Sequence, residues 1–112
     1  MKRGEVWTFR DEGYASKARP VVIVQSNEIN DFDSIILCLF TTYESSDIST
    51  RVLIAATDSN GLSKDSFVMT EKIVTVAKSE MGKQIGALTD VEMRSITDNL
   101  ARVLGITEGQ PK

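Results

Sequence analysis

Apolar positions in this chain recur at two spacings, and the change between them separates a long strand-forming part from a single helix. Glu5-Val6-Trp7-Thr8-Phe9 alternates polar and apolar, the period of a half-buried strand. Arg19-Pro20-Val21-Val22-Ile23-Val24-Gln25-Ser26 sets four consecutive β-branched apolar residues between polar ends. A run so short and so apolar reads as a strand buried on both faces. Pro20 has no N–H to offer a sheet ladder, which places it at the first position of that strand. The same proline biases Arg19 towards extended backbone, so a guanidinium is held at the mouth of the most buried strand. Ser34 to Thr42 is apolar through its middle and predicts the next strand. Arg51 to Ala56 predicts another, and Ser66 to Thr70 and Lys72 to Ala77 two more short ones. In the last, Ile73, Thr75 and Ala77 share one face and Val74 and Val76 the other. Apolar character on both marks a buried strand or one at an interface.

Between these runs lie polar connections: Asp11 to Ala18 with Gly13, Glu28 to Asp33, and Tyr43 to Thr50. Thr57-Asp58-Ser59-Asn60-Gly61 is a strong turn, because Asn-Gly tolerates positive φ. Lys78 to Leu88 is interrupted by Gly82 and Gly86 and predicts no clear element. From Thr89 the spacing becomes helical. Thr89-Asp90-Val91-Glu92 fits a capping box, in which hydroxyl and carboxylate satisfy each other's free amides. Met93, Ile96, Leu100, Val103 and Leu104 then form one apolar stripe, and Gly105 stands where a C′ glycine belongs. The expected fold is mostly β with one C-terminal helix, a small antiparallel β-barrel of five or six short strands. Residues 1–106 form one domain, and residues 107–112 are expected to be a disordered tail.

Composition narrows the chemistry. A chain of 112 residues, 41% hydrophobic, suits one globular domain. No stretch approaches the ~20 apolar residues of a membrane span. Met1 to Glu5 has a basic start without an apolar segment behind it, so a cytoplasmic location is expected. Cys38 is the only cysteine and sits in Ile35-Ile36-Leu37-Cys38-Leu39-Phe40, which predicts a buried, inert thiol. The chain has no histidine. Histidine acid–base catalysis, Ser-His triads and most zinc sites are thereby removed, and no clustered carboxylates offer a metal site. Neither metal nor cofactor is expected. The net charge of −3 argues weakly against nucleic-acid binding, but its distribution is uneven. Residues 1–20 hold Lys2, Arg3, Arg10, Lys17 and Arg19 against Glu5, Asp11 and Glu12. Residues 21–60 hold Arg51 against six acids. A modest basic patch near Arg19 is compatible with an acidic whole.

Five signals could carry chemistry. Arg19 on position alone is a solvated arginine flanking a strand. Thr41 and Thr42 end the next strand, where threonine is common. If those two strands pair as an antiparallel hairpin, Arg19 and Thr41 fall at the same end. A fork of donors then meets a hydroxyl, a pair suited to a phosphate. Lys17 could hold a neighbouring phosphate, and Lys72, beside Glu71, could do the same; a surface lysine is the plainer reading of each. Trp7 belongs to the core; Phe9 and Tyr14 flank or occupy the 11–18 loop, where they could stack on bases, although core packing is the plainer reading of Phe9.

Lys2-Arg3-Gly4-Glu5-Val6-Trp7 followed by Arg19-Pro20-Val21-Val22-Ile23-Val24 resembles the MazF/PemK family of toxin ribonucleases. Phe40-Thr41-Thr42, Asn60-Gly61-Leu62, Glu71-Lys72-Ile73 and Ile85-Gly86-Ala87-Leu88 follow in the expected order. The loop departs from the best-known members: Gly13-Tyr14-Ala15 stands where those carry a longer loop with Gly-x-Glu. The resemblance implies an SH3-like barrel of the CcdB/PemK-like toxin fold and a homodimer. It implies metal-independent, sequence-selective cleavage of single-stranded RNA, with Arg19 and Thr41 as catalytic residues. Tyr14, Lys17, Thr42 and Lys72 are the expected substrate-binding residues. The RNA's own 2′-OH attacks the adjacent phosphate, leaving a 2′,3′-cyclic phosphate and a 5′-OH. Arg19 stabilises charge and is a candidate for proton transfer, although arginine's high pKa makes it a poor free base. A small cognate antitoxin is the implied partner, with operator DNA reached only through the antitoxin complex. Two other readings compete. CcdB-type toxins share the barrel and poison DNA gyrase, but their Trp-Gly-Ile ending is absent here, where Gly105-Ile106 lacks the tryptophan. A degenerate member that only binds antitoxin and operator DNA would not need Arg19 and Thr41.

Overall fold

The structure, a computed structural model, describes residues 1–10 and 18–106. Its elements run β1 (Glu5–Arg10), β2 (Ala18–Ile23), β3 (Ser34–Thr41), β4 (Arg51–Ile54), β5 (Ser66–Ala77), β6 (Met81–Ala87) and α1 (Asp90–Leu104), with a 3-10 turn at Lys78–Glu80. The six strands form one antiparallel sheet in the order β4-β5-β3-β2-β1-β6. β2 lies near its middle, and Val21, Val22, Ile23 and Val24 are all buried. Alternation along the strand divides them between two cores. Val22 and Val24 join Cys38, Val68 and the helix residue Ile96. Val21 and Ile23 join Ile35 and Leu37 on the other face. The expected strand buried on both faces is thus the wall between two cores.

Three expectations are corrected. Pro20 is the third residue of β2, not the first. The segment from Lys78 to Leu88 contains a full strand, with both glycines inside it. A Cβ on Gly82 would lie 2.1 Å from Thr8 Oγ1, and one on Gly86 would lie 2.3 Å from the Asn60 carbonyl carbon. These glycines admit close neighbours rather than break the chain. Ser66 to Ala77 is one strand, not two. Its register against β3 steps from Leu39↔Met69 to Cys38↔Ile73, so Thr70, Glu71 and Lys72 form a bulge where the two expected pieces meet.

The sheet is drawn round by a loop rather than by a last ladder. Ala87 N–H donates to the Ser59 carbonyl at 3.0 Å, joining the turn after β4 to β6 at the opposite edge. Helix α1 packs on β4 and β5. Its capping box is present: Glu92 N–H donates to Thr89 Oγ1 at 3.1 Å and Thr89 N–H to Glu92 Oε1 at 2.9 Å. The apolar stripe is buried only in its middle. Ile96 is fully buried and Met93 and Leu100 pack beside it, but Val103 and Leu104 are exposed. No helix among the described residues is long and apolar enough to cross a membrane.

Candidate active site

The site forms where the β2–β3 pairing gives out. The ladder pairs Ile23↔Leu37, Val22↔Cys38 and Val21↔Leu39, then ends. On the β1 side pairing continues through Thr8↔Pro20 and Phe9↔Arg19 to Arg10↔Ala18. A proline lacks the N–H that a strand flanked on both sides would use, and the β3 ladder ends beside it. The two residues just past the last β2–β3 pair are Pro20 and Arg19 on one strand and Phe40 and Thr41 on the other. All four, with Thr42, line one open cavity of about 670 Å³. Phe9, Leu39, Met69 and Val74 complete an apolar wall, and Ser66 adds a hydroxyl.

Thr41 Oγ1 accepts a hydrogen bond from the Tyr43 N–H at 3.1 Å. That engages one lone pair of the oxygen and leaves the hydroxyl proton to be donated elsewhere. Ser66, nearly buried, donates to the Lys64 carbonyl at 2.9 Å, so its oxygen is the atom left to accept. A guanidinium and a hydroxyl donor beside an apolar wall can hold a phosphate and the bases attached to it.

Below the cavity, charge is spent on structure. Arg51, at the start of β4, donates from Nε and Nη2 to Glu71 Oε2 at 3.0 and 2.5 Å. These bonds outweigh partial burial and hold the Glu71 carboxyl below its ordinary range. Cys38 is fully buried, and burial, with Glu71 nearby, pushes its thiol up to about 12. It therefore stays protonated and is no nucleophile at neutral pH.

Residues 2–104 match the profile of the family described as PemK-like, MazF-like toxin of type II toxin-antitoxin system. The chain belongs to this family. A probable endoribonuclease MazF from Mycolicibacterium smegmatis is 33% identical to the toxin over 107 residues, 95% of this chain and 98% of that one. A solved endoribonuclease in complex with its cognate antitoxin, from a mycobacterial species, superposes with a TM-score of 0.81. It is 29% identical and covers 99% of each chain. The Mycobacterium tuberculosis toxin MazF-mt6 has a TM-score of 0.78 at 21% identity, over 92% of this chain and 98% of its own, a likeness of fold.

Of the residues singled out in the toxin's sequence, Arg19, Thr41, Thr42 and Phe9 line the cavity together. Lys72 does not; it is exposed in the β5 bulge, between the lining residues Met69 and Val74. Tyr14 and Lys17, like the expected tail at 107–112, lie outside the described residues. Sequence reasoning passed over Ser66, Met69 and Val74. Their signal lay in the pairing of β5 with β3, which no local pattern specifies. It also read Glu71 only as the neighbour of Lys72, whereas Glu71 is the partner of Arg51.

Proposed function

We propose that this MazF-like endoribonuclease toxin cuts single-stranded RNA at the end of β2, with Arg19 and Thr41 as its catalytic pair. The carrying observation is that these two residues, 22 positions apart in sequence, line one cavity beside an apolar wall. The 2′-OH of the bound RNA attacks the adjacent phosphorus. The 5′-oxygen of the next nucleotide leaves with a proton, and the products are a 2′,3′-cyclic phosphate and a 5′-OH. Negative charge grows on the non-bridging oxygens as the fifth bond forms. Arg19 offsets it electrostatically, and the Thr41 hydroxyl donates to one of those oxygens. The attacking group comes from the substrate, so a site without histidine can work.

Thr42, which lines the cavity, contacts the flanking backbone, as do Lys17, Tyr14 and, from the bulge, Lys72. Bases stack along Phe9, Phe40 and Met69. The toxin acts on cytoplasmic RNA as a homodimer, with residues 1–106 as one toxin domain. By analogy with the relative solved with its antitoxin, a cognate antitoxin neutralises it. The family match lies with the MazF/PemK toxins and lends nothing to the gyrase-poisoning alternative.

The test is to sequence the 5′-OH ends that purified toxin makes from a long single-stranded RNA in EDTA. Wild type is expected to cut at a short motif. Arg19→Ala should lose about 10²–10³-fold in rate while remaining folded and dimeric. No cleavage by wild type in EDTA would overturn the proposal.

A further inference from the structure

The loop from Tyr43 to Thr50 is exposed along most of its length, yet Ser45 within it is fully buried. A buried hydroxyl needs partners, and this one has two. Ser45 Oγ donates to the Tyr43 carbonyl at 2.8 Å and accepts from Arg51 Nη1 at 3.0 Å. Arg51 is held in turn by Glu71 through its other two nitrogens. On the near side, the Tyr43 N–H donates to Thr41 Oγ1. Both peptide groups flanking Tyr43 are therefore tied, one to Ser45 and one to Thr41. Four residues, Glu71, Arg51, Ser45 and Tyr43, lead by hydrogen bonds from the β5 bulge to the hydroxyl in the cavity.

We infer that Ser45, held by Arg51 and Glu71, is a positioning residue for RNA cleavage that acts through Tyr43 on the Thr41 hydroxyl. The inference rests on the role given to Thr41 above. A threonine hydroxyl rotates freely unless one side of it is engaged. The Tyr43 N–H engages it, and that N–H is aimed only while the turn keeps its shape. A planar guanidinium is a rigid strut for such a turn, because its fork meets carboxylate and hydroxyl in fixed directions. Arg51 does not line the cavity, so its donors serve the loop and not the phosphate. The Glu71 side chain is a third exposed, and an ion pair that exposed adds little to stability. What it does supply is direction.

The experiment measures kcat and KM on a short RNA carrying the site mapped in the long one. Ser45→Ala should lower kcat about fivefold, the effect of one hydrogen bond, and leave KM within about twofold. Ser45→Cys, close in size and a weak donor, should keep the loop packed and recover part of the rate. Arg51→Lys and Glu71→Gln should fall between Ser45→Ala and wild type. The deciding measurement repeats Ser45→Ala in a Thr41→Val background, where no hydroxyl remains to be aimed. There Ser45→Ala should cost nothing further. The inference is overturned if Ser45→Ala lowers kcat equally in both backgrounds, acts only on KM, or leaves kcat at the wild-type value. Thr41→Val with wild-type kcat would remove the role of Thr41 and this inference with it. A slow Thr41→Val beside an unaffected Ser45→Ala removes this inference alone.

Discussion

The loops on either side of β4 are both pinned by a buried polar side chain, and they serve opposite ends. In the loop after β4, Asn60 is almost fully buried. Its Oδ1 accepts from Thr57 and Leu62 N–H, both at 3.0 Å, and its Nδ2 donates to the Ala55 carbonyl at 2.8 Å. Every one of those partners lies in its own turn. The turn so formed presses on β6, where a Cβ on Gly61 would fall 2.2 Å from the Ile85 carbonyl oxygen. In the loop before β4, Ser45 bonds both its own turn and a charged strut from β4. Beyond that turn lies the Thr41 hydroxyl at the end of β3, a residue that lines the cavity. Asn60 thus holds backbone against backbone, whereas Ser45, on the inference above, aims a hydroxyl that lines the cavity.

The contrast breaks most severely at Gly86. Gly86→Ala drives a methyl group into the Ser59–Asn60 backbone, which cannot swing aside as a side chain would. A loss above ~3 kcal/mol in urea denaturation is expected, with cleavage per folded molecule unchanged. Asn60→Ala comes next. It leaves two amides and a carbonyl without their partner and should cost about 2–4 kcal/mol, again without changing kcat. Ser45→Ala sharpens the comparison from the other side. Its stability cost should be about 1 kcal/mol, so that its main effect appears in rate. A thermal scan showing Ser45→Ala as damaging as Asn60→Ala would make the two loops equivalent.

The smallest effect is in acid. The Glu71 carboxyl titrates below its ordinary value of 4.5 because Arg51 holds it ionised. Its contribution is therefore complete above that value and lost as pH falls through the lowered one. Melting temperature should decline below pH 4.5, and Glu71→Gln should flatten part of that decline. The remainder belongs to other carboxylates, among them Glu5. There, burial raises the carboxyl, but hydrogen bonds from Lys2 N–H and Trp7 Nε1 with the nearby charges of the N-terminus and Lys2 lower it on balance.

Local pattern alone determined the strand through Val21, Val22 and Ile23 and its double burial, the capping box at Thr89 and the turn at Asn60-Gly61. These features depend on residues within one turn or one strand of each other, so spacing and capping chemistry suffice to read them. The placing of Arg19 and Thr41 at one end of the β2–β3 pair was legible for the same reason, because a hairpin's register follows from its own two strands. Tertiary structure alone decided that Gly82 and Gly86 lie inside a strand, since a glycine means a break or a close approach according to what comes near it. It also decided that Val103 and Leu104 stay exposed, because a helical stripe is buried only where another element packs against it. And it joined Arg51 to Glu71 and Ser45, since a pairing across twenty residues is set by sheet register and a bulge, which no spacing in the chain records.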